Sequence, residues 1–130
     1  MVALALGLVV TACGDDDAGP PPPGDRVIEV DMGDFFFEPE NLTLRAGTEV
    51  TIDAINVGEL VHNFVVLPEG QQVDTAVGLD RDTFLFFVQA PSRASESARF
   101  TVPPPGTYQI VCTIAGHLEA GMGGTLTVEG

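Results

Sequence analysis

Three prolines and a glycine, Pro103-Pro104-Pro105-Gly106, separate two short segments that alternate apolar and polar residues, Arg99-Phe100-Thr101-Val102 and Thr107-Tyr108-Gln109-Ile110-Val111. No helix crosses such a stretch, because each proline removes a backbone N–H and its ring clashes with the preceding turn. Alternation with a period of two marks strands that bury one face. The same pattern recurs in Val27-Ile28-Glu29-Val30-Asp31-Met32, in Asn41-Leu42-Thr43-Leu44-Arg45, in Glu49 to Ile55 and in Gly124-Thr125-Leu126-Thr127-Val128. Glu38-Pro39-Glu40 and Ala46-Gly47-Thr48 punctuate these runs as turns. Asn63-Phe64-Val65-Val66-Leu67 is continuously apolar after its first residue, as a strand buried on both faces would be.

Residues 70–98 carry the weakest pattern. Phe84 to Val88 fits one more strand or a short helix, and 91–98 reads as a Ser/Ala-rich loop. Phe35-Phe36-Phe37 reads as core and edge packing, and Tyr108 as a structural strand residue. With Gly 15 and Pro 10 among 130 residues, and no Trp, the chain suits strands and turns better than a helical bundle. The expectation is an all-β, Greek-key, two-sheet β-sandwich of about 7–8 strands over residues 26–130.

The N-terminus reads as an address. Residues 1–12, MVALALGLVVTA, are apolar and uncharged in side chain. They are too short to span a bilayer, which needs about twenty residues, but have the length of a signal-peptide core. Val10-Thr11-Ala12-Cys13 resembles the lipobox of bacterial and archaeal lipoproteins, which implies lipidation at Cys13. Residues 14–25, GDDDAGPPPPGD, are acidic and proline-rich with nothing to bury, and so predict a semi-extended tether. Lipid attachment would place the domain outside the cytoplasm, on the outer face of the cell membrane.

Charge excludes one class of partner. Lys+Arg 5 against Asp+Glu 19 gives −14, and five scattered arginines form no basic stripe for nucleic acid. The acidity favours a basic partner or reflects a solvated surface.

The rare residues fall together. Cys112, His117 and Met122 occupy one stretch, CTIAGHLEAGM, at C-x4-H-x4-M, and the other histidine, His62, lies upstream in Val61-His62-Asn63-Phe64. Taken singly, His62 reads as a packed strand residue, Cys112 as a buried inert thiol and Met122 as core filler. Together, two imidazoles, a thiolate and a weak thioether are the donor set of a blue-copper centre, with Cys and His in a trigonal plane and Met axial. A glycine-rich loop between two strands can turn Cys112, His117 and Met122 toward one point, while His62 comes from a neighbouring strand end.

The chain resembles the cupredoxin family, which includes plastocyanin, azurin and halocyanin, from about Val27 to Val128. The resemblance is carried by Asp34-Phe35-Phe36-Phe37-Glu38-Pro39, by Leu42 to Thr48, by Val61-His62-Asn63-Phe64-Val65-Val66, and by Tyr108-Gln109-Ile110-Val111-Cys112 with the loop that follows. It implies that His62, Cys112, His117 and Met122 are copper ligands, one Cu(I)/Cu(II) ion per chain. It also implies that Asn63 ties the ligand-bearing segments together through Thr113, and that electrons leave by the more exposed His117 edge. Cys-x4-His is longer than the Cys-x2-His of plastocyanin and nearer to azurin-like, rusticyanin-like or halocyanin-like loops.

Ligand counting narrows the chemistry. A binuclear copper centre needs two bridging thiolates, and a second copper site needs further histidines; neither is available. A catalytic zinc site or a thiol nucleophile would need a positioned base, and no motif supplies one. The chain therefore reads as a monomeric carrier rather than an enzyme. It would shuttle one electron between a donor and an acceptor, such as a cytochrome or oxidase domain, docking through an apolar patch at Ile114, Ala115, Leu118 and Ala120. The alternative is a protein that holds or delivers copper without an electron-chain role.

Overall fold

The computed structural model describes residues 26–130; the address and tether at 1–25 lie outside the described residues. Nine strands form two sheets: β1 (Arg26–Gly33), β2 (Phe36–Glu38), β3 (Asn41–Arg45), β4 (Glu49–Asn56), β5 (His62–Val66), β6 (Phe86–Ala90), β7 (Ser95–Thr101), β8 (Gly106–Val111) and β9 (Gly123–Glu129). One sheet has the order β2-β1-β4-β7, the other β3-β9-β8-β5-β6. Two pairings are parallel, β1 with β4 and β3 with β9. A single 3-10 turn, Arg81–Thr83, is the one helical element among the described residues.

The alternation seen in the sequence is the alternation of burial. Along β4 every second residue, Val50, Ile52, Ala54 and Asn56, is buried. The core between the sheets includes Val30, Met32, Ile52, Phe64, Phe100, Tyr108, Ile110 and Leu126. Phe64 stacks edge-on against both Phe37 and Phe86. Tyr108 is buried, and its hydroxyl donates to the Pro104 carbonyl at 2.6 Å, holding the proline turn against β8.

β5 is buried on both faces, as its continuous apolar run predicts. Phe64 and Val66 face the main core, while Val65 and Leu67 enter a second, smaller core with Val111. The long segment between β5 and β6 supplies the cover, through Val73, Leu79 and Phe84. Gln109 pins that cover with a reciprocal pair: Val73 N–H donates to Oε1, and Nε2 donates to the Val73 carbonyl, both at 2.8 Å.

Three local expectations differ from the structure. Residues 95–98 are strand, not loop: β7 pairs with β4 from Glu49↔Thr101 to Ile55↔Ser95. As an edge strand it has one neighbour, and its exposed Ser95, Glu96 and Ser97 hide the alternation. The segment after Phe84 is a strand, shifted to Phe86–Ala90. Phe36–Glu38 is a three-residue strand hidden within a triple Phe that shows no alternation, which raises the strand count to nine. Of the three, only Phe37 joins the core; Phe35 and Phe36 are 42% and 50% exposed.

The fold sets up one end of the sandwich. β5 begins at His62 and β8 ends at Val111, and the two strands pair antiparallel through Val65↔Val111 and Val66↔Ile110. The chain thus leaves β8 beside the start of β5, and the loop to β9 folds across that end.

Candidate metal centre

His62 lies at the first position of β5, on the same face as Phe64 and Val66, so strand geometry alone turns it inward; it is fully buried. Cys112 follows the last residue of β8 and is also fully buried. The loop after it closes on itself. Its neck is the hydrogen bond from Cys112 N–H to the Met122 carbonyl, 3.2 Å, which continues the β8–β9 ladder by one step. Inside the loop, His117 N–H donates to Ile114 O at 3.0 Å, and the N–H groups of Ala120 and Met122 both donate to His117 O, at 3.1 and 3.0 Å. The turn at Gly116 has φ +83, a conformation that costs glycine little and other residues more. These bonds hold His117 and Met122 inward, 6% and 0% exposed.

The result is a convergence of donor atoms. His62 Nδ1 and His117 Nδ1 are 3.1 Å apart, and Cys112 Sγ is 3.5 Å from His117 Nδ1. The donor atoms of the three residues all lie within 4.8 Å of one another. Bonds of about 2.0 Å to nitrogen and 2.3 Å to sulfur, arranged in a plane, put neighbouring donors about 3.5 Å apart. The spacing therefore fits one shared ion.

Protonation fits as well. Asp34 Oδ1 accepts from His62 Nε2–H at 2.8 Å, which leaves the His62 lone pair on Nδ1, facing the same point. Burial pushes the Cys112 thiol above its usual range, opposed by the backbone N–H groups of Asn63 and Ile114, which favour the thiolate. Burial holds His117 below the usual histidine range, with the His62 charge adding to the effect and Asp34 and Glu119 opposing it. A buried thiol beside imidazole nitrogens that can act as ligands is disposed to exchange its proton for a cation.

Asn63, one residue after His62, points to the opposite face of β5. Its Oδ1 accepts from Thr113 N–H at 2.7 Å and its Nδ2 donates to Thr113 Oγ1 at 2.8 Å. A reciprocal pair thus ties the strand that carries His62 to the residue after Cys112.

Three features of this end escape sequence reasoning. The Asp34 carboxylate under His62 is one of 19 acidic residues, and the segment it opens, Asp34 to Pro39, does not point to a part for it in the site. Phe35 packs edge-on against the His117 ring, centroids 5.3 Å apart at 87°. The ring of His117 is accordingly buried, and the exposed groups around it are its loop neighbours Ala115, Gly116, Glu119 and Ala120. Ile114 and Leu118 pack inward, each against one core cluster. Finally, buried Asn56 organises the loop before His62, donating to Leu60 O and Ala90 O and accepting from Gly58 N–H.

Residues 25–129 match the family described as copper binding proteins, plastocyanin/azurin family. The chain is 36% identical over 109 residues to auracyanin-B of Chloroflexus aurantiacus, a match covering 71% of this chain and 46% of that protein, so it spans about half the length of that relative. It is 28% identical over 128 residues to the copper-resistant cuproprotein CopI of Rubrivivax gelatinosus, covering 82% of this chain and 72% of CopI. A solved structure of auracyanin B superposes with a TM-score of 0.73 at 29% identity, covering 86% of this chain and 94% of the other. Copper is the metal for which the four residues are arranged. The chain belongs to the plastocyanin/azurin family of copper-binding proteins.

Proposed function

We propose that this protein is a mononuclear blue-copper electron carrier, held by lipid at Cys13 to the outer face of the cell membrane. One observation carries the reading: His62 Nδ1, Cys112 Sγ and His117 Nδ1 converge in a buried pocket at one end of a rigid sandwich. His62, Cys112 and His117 would hold the metal, with the Met122 thioether as a weaker fourth ligand. Copper in such a site supplies a one-electron Cu(II)/Cu(I) couple.

The protein's part is to keep that couple fast. Strand register fixes His62, the loop neck fixes Cys112 and Met122, and the Asn63–Thr113 pair joins the two halves. Donors held this way move little when the charge changes, so little reorganisation opposes transfer. Burial excludes water from the thiolate. The apolar ground for a transient partner is the exposed Val77 with Ala76, Ala115 and Gly116, which line a recess beside the His117 loop. Contacts of this kind are small and short-lived. The charge of −14 favours a basic donor or acceptor, such as a cytochrome, with rates that fall as salt rises.

The likeness to CopI favours a second reading, in which the protein holds or delivers copper. Stopped-flow mixing of the reduced protein with an oxidised basic cytochrome separates the two. Electron transfer at 10⁶ M⁻¹s⁻¹ or faster at low salt, slowed by salt, supports the carrier. Slow electron exchange together with copper transfer to an acceptor chelator supports delivery.

A further inference from the structure

The turn between β1 and β2 is two residues long, Asp34-Phe35, and it touches both imidazoles. Asp34 Oδ1 is 2.8 Å from His62 Nε2, and the Phe35 ring lies edge-on against His117. The backbone is bent to allow this: Phe35 has φ +74, a conformation that is strained for an aromatic residue. Strain of this kind persists where the surroundings over-determine it.

The surroundings do so on the side of Asp34. Besides His62, the carboxylate accepts from Glu59 N–H, at 3.1 and 3.2 Å to its two oxygens, and from Leu60 N–H at 3.3 Å. Gly58 makes that approach possible, since a Cβ there would collide with Asp34 Oδ1 and sit 3.0 Å from His62 Nε2. The carboxylate is thus held from three directions and aimed at the far nitrogen of one ligand.

We propose that Asp34 is a positioning residue of the copper centre that fixes the His62 ring with Nδ1 toward the metal and biases the couple toward Cu(II). The inference rests on the assignment of His62, Cys112 and His117 as ligands. Its physical basis is that an anion bonded to a ligand's outer N–H raises the ligand's basicity and stabilises the higher charge on the metal. Cu(II) takes up one electron to give Cu(I), so removing the negative charge favours the reduced form.

The test is a redox titration of the copper-loaded protein, followed by its visible spectrum, for wild type, Asp34→Asn and Asp34→Ala. Asp34→Asn removes the charge, keeps one acceptor oxygen for the His62, Leu60 and Glu59 N–H groups, and puts an NH2 in place of the second oxygen, which accepts only from Glu59 N–H. Glu129→Gln is the control for net charge, because Glu129 ends β9, about 20 Å along the strand from Gly123 beside the ligand loop. The expected result is a blue band in all four proteins. At a fixed solution poise the Cu(II)/Cu(I) ratio falls about tenfold in Asp34→Asn, equivalent to ~59 mV, and does not change in Glu129→Gln. Asp34→Ala shifts at least as far and loses Cu(II) about tenfold more readily to a chelator. Blue Asp34 variants that titrate with wild type, or a Glu129→Gln shift of the same size, overturn the role of Asp34 while leaving the ligands standing. A wild type without a blue band overturns the ligand assignment and this inference with it.

Discussion

The two histidines of the centre are held by different means. His62 belongs to a strand flanked on both sides: β5 pairs with β6 across five residues, His62↔Ala90 to Val66↔Phe86, and with β8 on its other edge. Its position follows from sheet register, and a one-residue slip would turn it out of the site. His117 belongs to a loop whose backbone-to-backbone hydrogen bonds are internal turns, closed at the neck by Cys112 N–H to Met122 O. One side of the metal site is held by long-range pairing, the other by local bonds and the Asn63–Thr113 bridge. The contrast implies that the strand side is built whether or not metal is present, and that the loop side gains most from binding.

Metal removal should expose that difference most clearly. Binding stabilises the folded state by about 4 kcal/mol at a free copper concentration 1,000 times Kd. Stripping copper should lower the melting temperature while far-UV circular dichroism keeps its β signature. Hydrogen exchange should speed up at residues 113–122 and not in β5. Equal loss of protection in β5 and the loop would break the contrast.

Next in size is Gly124→Ala, where β9 leaves the loop. A Cβ at Gly124 would strike the Glu40 carbonyl, a backbone group with little freedom to yield. Overpacking of this kind costs about 3 kcal/mol, measured by urea denaturation of the metal-free protein. Asn63→Ala should cost about 2 kcal/mol in the same assay, since it leaves Thr113 N–H without its partner. It should also weaken copper retention, because it cuts the bridge between the two sides. Gly116→Ala is the smallest change. Nothing lies within 4 Å of the added Cβ, so only the φ +83 backbone opposes it, at about 1 kcal/mol. Its effect should fall on copper binding by the loop and spare the strand pairings.

The same contrast decides what the sequence discloses. Cys112, His117 and Met122 stand out because they are rare types on one short loop, and His62 because it is the only other histidine. Strands β3 and β4 are legible because one face of each is buried and the other is exposed or half-buried, and β8 because buried Tyr108 and Ile110 alternate with polar Thr107 and Gln109. β7 is not, because an edge strand with exposed Ser95, Glu96 and Ser97 has no alternation to show. β2 is too short for any period. Asp34 escapes for another reason: its importance comes from a turn that brings it under His62, 28 positions away in the chain. Long-range placement of a common residue type leaves no local mark, whereas placement of a rare one does.

The central claim is that these four residues form a blue-copper site. The most direct measurement is a visible-absorption titration of the protein with Cu(II), run beside Cys112→Ser. The account predicts an intense thiolate-to-copper band that saturates at one equivalent in the wild type and never forms in Cys112→Ser. A colourless complex, or a band of equal strength in both proteins, would contradict it.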